Sequence, residues 1–171
     1  MELLERFAKG EIDAFEALFH EFQHQVYGWI IRIVRDPAAA EELTVETFWR
    51  IYRSRARFDP RRSFGAWARR IASNVAIDHL KSSRPRPETS ETRSVLDPDP
   101  VIRREQHNAI RQAFHALPVR LRVAATLALI EERPYEEIAQ ALGTSVGAVK
   151  SRIFRATRLL RRRLQQQGIT P

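Results

Sequence analysis

Apolar positions along the chain recur mainly at helical spacing. Phe15, Leu18, Phe19, Phe22, Val26, Trp29, Ile30 and Ile33 fall three and four residues apart, which predicts an amphipathic helix from about Asp13 to Val34, opened by a DAFE capping box. Asp36 followed by Pro37 marks the next start, an N-cap with proline at the first helical position. That helix is expected to run to about Tyr52 and to bury Leu43, Thr47, Phe48 and Ile51. Beyond the basic, proline-broken loop RSRARFDPRR, Ser63 caps a third helix with Phe64, Trp67, Ile71 and Val75 on one side. The stretch SSRPRPETSETRSVLDPDP, residues 82–100, mixes repeated proline with both charges and almost nothing apolar, so it reads as a linker. Helices are expected again over 101–117 and 118–130.

The segment YEEIAQALGTSVGAVKSRIFR, Tyr135 to Arg155, has the spacing of two short helices joined by a tight turn. Ala139 is small where the helices cross, Gly143 stands at the turn, and Ile138, Leu142, Val149 and Ile153 supply apolar contacts. This pattern is a helix-turn-helix. Its second helix starts near Ser145 and presents Lys150, Ser151, Arg152 and Arg155, donors of the kind that reach base edges and phosphates in a major groove. No strand of convincing length and no internal repeat is visible. The fold class is therefore all-α: two small helical domains, 1–81 and 101–171, joined by a flexible linker, with the helix-turn-helix in the second.

Charge sharpens this division. The formal net charge is +8, yet residues 1–46 carry 4 basic and 10 acidic side chains, whereas residues 47–86 carry 11 basic and 2 acidic and residues 118–171 carry 10 and 4. Each basic block suits a polyanion such as nucleic acid, and the acidic leading segment suits a basic protein surface. On the second predicted helix Glu41, Glu42 and Glu46 lie opposite Phe48 and Ile51. On the third, Arg70, Asn74 and Asp78 share one face at four-residue spacing. Trp49, Tyr52, Phe58, Phe64 and Trp67 stand among Arg50, Arg53, Arg55, Arg57, Arg61 and Arg62, an association that reads as a surface for unpaired bases, with Trp67 assigned by phase to the core and Trp49 and Phe58 the better stacking candidates. The chain has no cysteine, which removes disulfides, thiolate metal sites and cysteine catalysis and fits a reducing cytoplasm. Its longest apolar run, Val123 to Ile130, is too short to cross a bilayer.

Over nearly its whole length the chain resembles the extracytoplasmic-function sigma factors of the bacterial sigma-70 family. GEIDAFEALF resembles their opening segment, DPAAAEELTVETFWRIY the helix that docks on the polymerase clamp, FGAWARRIASNVAIDHLKSS the promoter-melting helix, and LPVRLRVAATLALIEERPYEEIAQALGTSVGAVKSRIFRAT the DNA-reading domain. It departs from the family at Glu42, where Asp is usual, at Val45, where Gln is usual, and at Pro134, where a Ser cap is usual. The resemblance implies a transcription initiation factor with no active site and no cofactor, nucleoid-associated when bound to polymerase. Its implied partners are the clamp coiled coil and flap of core RNA polymerase, duplex and single-stranded promoter DNA, and an anti-sigma factor. It assigns Glu41, Glu42 and Glu46 to polymerase binding. Asn74, with the loop before Phe64, would hold a flipped base of the minus-10 strand; its amide offers the donor and acceptor that reading a base edge requires. Lys150, Ser151, Phe154 and Arg155 would read the minus-35 element, with Ser145 and Arg152 near phosphates. Arg158, Arg161, Arg162 and Arg163 read equally as backbone contacts or as a solvated basic tail.

The residues also admit two other readings. His20-Glu21-Phe22-Gln23-His24 spells HExxH, the helix signature of zinc peptidases, but the phase of the Phe15, Phe19, Phe22 and Val26 stripe turns both histidines to solvent. The nearer rival is a self-sufficient helix-turn-helix regulator, which leaves the first domain without a purpose unless it senses a ligand or dimerises.

Overall fold

A computed structural model describes residues 1–83 and 100–169, and every regular element in them is helical. The chain runs α1 (Glu2–Ala8), α2 (Ile12–Val34), α3 (Pro37–Arg53), a 3-10 turn (Arg55–Arg57), α4 (Phe64–Ser82), α5 (Pro100–His115), α6 (Val119–Ala125), a π-helical turn (Thr126–Ile130), α7 (Tyr135–Leu142) and α8 (Val146–Gln166). The expected linker lies outside the described residues at 84–99.

Local chemistry explains most of the boundaries. Asp36 Oδ1 accepts from the N–H of Ala38 and Ala39 at 3.1 and 3.3 Å, so α3 starts where the Asp-Pro pair places it. Ser63 Oγ accepts from Ala66 N–H at 3.2 Å and opens α4. The start of α2 differs from expectation. Its N-cap is Glu11, with no side-chain cap, and Asp13 lies inside the first turn, where its charge complements the helix dipole without closing a capping box.

α2, α3 and α4 pack around Leu18, Trp29, Ile30, Phe48, Ile51, Ala72 and Ala76. Trp29 is 2% exposed, and its indole N–H donates to Ser73 Oγ at 2.7 Å, which satisfies a polar atom that burial would otherwise leave orphaned. The short helix α1, absent from the expected elements, completes this core. Its Phe7 is fully buried, with the rings of Phe15, Phe58, Phe64 and Trp67 centred 5.6 to 6.3 Å away.

The second half is built from smaller side chains. Ala113, Leu117, Ala125, Ala156 and Leu160 form a core shared by α5, α6 and α8. Between α7 and α8, Gly143 takes the left-handed conformation at φ 63°, while the N–H groups of Gly143 and Thr144 reach back to the carbonyls of Gln140 and Ala139. This αL cap needs glycine because a side chain there is strained.

The two halves touch. Val123, Ala124, Leu127, Ile138, Ala139, Val149 and Ile153 belong to the same buried cluster as Trp29, Ile30, Ala72 and Ile77, so α6, the π turn and α7 pack on α2 and α4. Ion pairs rim this seam: Glu131 meets Arg35 at 3.1 Å and Arg32 at 3.5 Å, and Glu137 meets Arg69 at 3.2 Å.

Candidate nucleic-acid and polymerase interface

On α8 the apolar stripe sorts the side chains. Val149, Ile153 and Ala156 face inward, leaving Lys150, Phe154 and Arg155 exposed, with Ser151 and Arg152 half-buried beside them. Ser145 Oγ accepts from Ala148 N–H at 3.1 Å, so this hydroxyl serves as the N-cap of the helix. Arg155 donates to Ser151 Oγ at 3.1 Å. Phe154 is 64% exposed, a large apolar ring in water on the outer face of the helix, with the Arg158 guanidinium 5.9 Å from its centre. Burial, then the charges of Arg120 and Arg155, lower the Arg152 pKa, the mark of a cationic cluster that an anion would relieve. Arg120, on α6, was not singled out from sequence; a basic residue far from the helix-turn-helix segment gives no spacing signal.

Across the first half the expected residues divide. Asn74 and Asp78 are exposed along α4, one turn apart, with Arg70 a further turn back. Glu41 and Glu42 are exposed on α3, but Glu46 is drawn to Arg50, whose Nε donates to it at 2.8 Å while Nη1 donates to Asp78 at 3.1 Å. One arginine thus ties a residue assigned to polymerase binding to one assigned to minus-10 reading, and the hydrogen bonds it donates to Glu46 and then Asp78 raise its pKa. The Glu46–Arg50 spacing was visible in the sequence; the link across to α4 was not.

Two aromatic assignments are corrected. Phe58 is 5% and Phe64 is 3% exposed, each edge-on to Phe7, so neither ring offers a face to an unpaired base. Arginines around an aromatic do not reveal which way it points, and here Phe7 packs on both rings, with Phe22 also against Phe64 and Trp67 against Phe58. Trp67, assigned to the core by phase, packs on Phe58 at 4.8 Å. Trp49 is 55% exposed. Arg61 and Arg62 are exposed on the loop, where Asp59 receives Arg61 Nε and Nη2 at 3.0 and 2.9 Å. Beside this loop an open cleft of about 570 Å³ lies between α1, the start of α4 and Gln140 of α7.

The helices thus carry an acidic face on α3, a polar strip on α4 and a cationic face on α8. Residues 18–86 match the Sigma-70 region 2 family and residues 107–160 match Sigma-70 region 4. The RNA polymerase sigma-H factor of Pseudomonas aeruginosa is 33% identical, over 96% of this chain and 93% of that protein. The chain belongs to the extracytoplasmic-function branch of the sigma-70 family. Other relatives of this sigma factor are CarQ of Myxococcus xanthus, 37% identical over 92% of this chain and 93% of its own, and SigW of Bacillus subtilis, 31% identical over 92% of each. Among solved structures, CnrH in complex with the cytosolic domain of CnrY shares the fold at a TM-score of 0.60 and 24% identity, over 96% of both chains. RpoE of Bartonella quintana in complex with the anti-sigma factor NepR does so at 0.54 and 18%, over 90% of this chain and 98% of its own. Regions 2 and 4 are the sigma-70 segments suited to promoter recognition and initiation.

His20 and His24, the histidines of the HExxH match, are both exposed on α2. No group of three metal-ligating side chains that could hold an ion occurs among the described residues. None of the described helices is long and apolar enough to cross a membrane.

Proposed function

We propose that this sigma factor divides its work between a polymerase-binding and promoter-melting unit, residues 1–81, and a minus-35-reading unit, residues 101–171, with 82–100 joining them. Glu41 and Glu42 meet a basic surface of core polymerase, helped by Glu46 when it leaves Arg50. Asn74 takes an extruded minus-10 base through its amide, flanked by Arg70 and Asp78, while Trp49, Arg61 and Arg62 hold the unpaired strand by stacking and charge. Lys150, Ser151 and Arg155 read stacked base pairs, Phe154 packs on base edges, and Ser145 and Arg152 lie against phosphates. The chain works in the cytoplasm beside polymerase and catalyses nothing itself. An anti-sigma factor is a fitting regulator, since the structural neighbour RpoE is solved with the anti-sigma factor NepR bound.

The observation that supports this reading most directly is α8, whose inner side is sealed while Lys150, Phe154 and Arg155 are exposed to solvent. Run-off transcription with core polymerase, with and without the chain, tests it. A promoter-dependent product only when the chain is present is expected. Tight duplex binding by the chain alone, with no run-off product, would favour the self-sufficient regulator instead.

A further inference from the structure

Arg50 stands where the acidic face of α3 meets the polar strip of α4. Its Nε donates to Glu46 on its own helix at 2.8 Å, and its Nη1 donates across to Asp78 of α4 at 3.1 Å. Glu46 is four residues back, one turn of α3, whereas Asp78 is 28 residues on and comes within reach only because α3 packs on α4. The second bond is tertiary.

Asp78 is the acid of the strip. It lies one turn past Asn74, about 6 Å along α4, and Arg70 lies a turn to the other side, so a cation, an amide and a carboxylate stand in line. The Asp78 side chain is 60% exposed and open to whatever Asn74 holds. A strand that delivers a base to Asn74 carries a phosphate on each side of that base, and a bare carboxylate this close repels it. Arg50 answers that charge. Glu46 competes for the same guanidinium, so one positive group serves two negative ones in the free chain. Where Glu46 faces the cations of polymerase, the Arg50 charge falls to Asp78.

We infer, on the footing of the strand-capture role proposed for α4, that Arg50 is a positioning residue for the minus-10 strand: it reaches from α3 to hold and neutralise the Asp78 carboxylate, so that a phosphate-bearing strand settles against Asn74. Arg50 makes no DNA contact in this role, and its effect passes through Asp78. A guanidinium suits the task because its rigid fork of donors serves two carboxylates at once and keeps its charge at any working pH.

The test is a double-mutant cycle in holoenzyme, read as affinity for a labelled single-stranded oligonucleotide that carries the non-template minus-10 segment of the run-off promoter. Arg50→Ala should weaken binding about 10-fold, the effect of one uncompensated charge a few ångströms from a phosphate, between the aqueous and protein-surface limits. Arg50→Gln removes the charge while keeping an amide donor, should weaken binding about as much, and carries the test if the alanine variant melts early. In an Asp78→Asn background either Arg50 substitution should change affinity by less than about 2-fold, the ordinary scatter of uncoupled sites. The loss should also shrink in 1 M salt, where the screening length is about 3 Å. A loss that persists in the Asp78→Asn background means that Arg50 meets the strand itself, and the inference is wrong. It is equally wrong if Arg50→Gln binds like the parental holoenzyme. A mere staple between α3 and α4 predicts a loss indifferent to salt, with Asp78→Asn alone losing as much as Arg50→Gln; that pattern also overturns it. Parental run-off product with an unresponsive Arg50 sinks this inference alone, whereas an absent product removes the sigma reading and the inference together.

Discussion

The two halves solve the same packing problem with different materials. Residues 1–83 hold seven of the nine phenylalanines and all three tryptophans, and Phe7, Phe15, Phe58, Phe64 and Trp67 interlock without help from the second half. Residues 100–169 bury mainly alanine and branched aliphatics, and the only cluster they keep to themselves is the small one around Ala113, Leu117 and Ala156. Their remaining apolar surface, on α6, the π turn and α7, finds cover on α2 and α4. Large rings let few helices fill a core, because each buries 150 to 250 Å². A unit lined with alanine brings its helices close but removes less apolar area from water, and it gains by leaning on a neighbour. A first half that is complete and a second that is partly borrowed make a molecule whose second unit can be moved.

The sharpest way to break this contrast is Phe7→Ala. Removing a fully buried ring that touches four others should cost about 3 to 5 kcal/mol, larger than any single change in the second core. Urea unfolding followed by near-ultraviolet circular dichroism measures it. A loss below about 1 kcal/mol would mean that α1 is dispensable and that the aromatic core closes without it.

The second core should fail in the opposite direction. Ala156 is fully buried against Ala113 and Ala125, so Ala156→Leu overpacks helices that alanine brought together, at a cost of about 1 to 3 kcal/mol. Thermal unfolding should show a lowered midpoint, while a stabilised protein would reveal an unfilled space in this core. Between the units, Gly143→Ala forces a side chain into the left-handed region and toward Arg70, costing about 1 to 2 kcal/mol by the ordinary αL penalty. Because Arg70 Nε is the near end of a flexible guanidinium, a milder result would show that Arg70 swings aside.

The contrast also marks how far the sequence could be read. α2, α3 and α4 were legible because their apolar residues keep a helical period and because Asp36-Pro37 and Ser63 are unambiguous starts; Gly143 and Ser145 did the same for the turn and α8. α1 was not, since seven residues give under two turns and MELLERF reads as a charged terminus. The π turn was not, because the apolar run from Val123 to Ile130 fits any buried helix. Trp67 was correctly assigned inward by phase. Phe58 precedes α4, in a loop with no periodicity to orient it, and Phe64 is the first residue of α4, where tertiary contacts with Phe7 of α1 and Phe22 of α2 cover the ring. The seam was invisible for a related reason: a pattern shows that Ile138 or Leu127 must be buried, and never against what. Glu131 and Glu137, acids in a basic half, were the one available hint that this surface meets cations.

The smallest effect separates the charged loops of the two halves. In the first, Asp59 is held by the side-chain and then the backbone hydrogen bonds of Arg61, with the charges of Arg61 and Arg62 adding to them, which lowers its carboxyl from 3.8 to about 2. A depressed carboxyl pKa contributes its stabilisation above the unfolded value and loses it as pH falls through the folded one. The Asp59–Arg61 contact should therefore be fully present above pH 4 and fade as pH falls from there through about 2, seen as a carbon-13 chemical-shift titration of the Asp59 carboxyl with its midpoint near 2. Global stability should scarcely follow it, because the pair lies in water and exposed pairs contribute little. In the second half Arg120, Arg152 and Arg155 gather with no carboxylate paired to them among the described residues, so added sulfate should raise the melting temperature through that face and not through the Asp59 loop. An Asp59 midpoint near 4 would mean that Arg61 and Arg62 are already free of it. The Arg61–Arg62 loop of the first half would then be as uncommitted as the face of α8, and the two halves would differ in their cores alone.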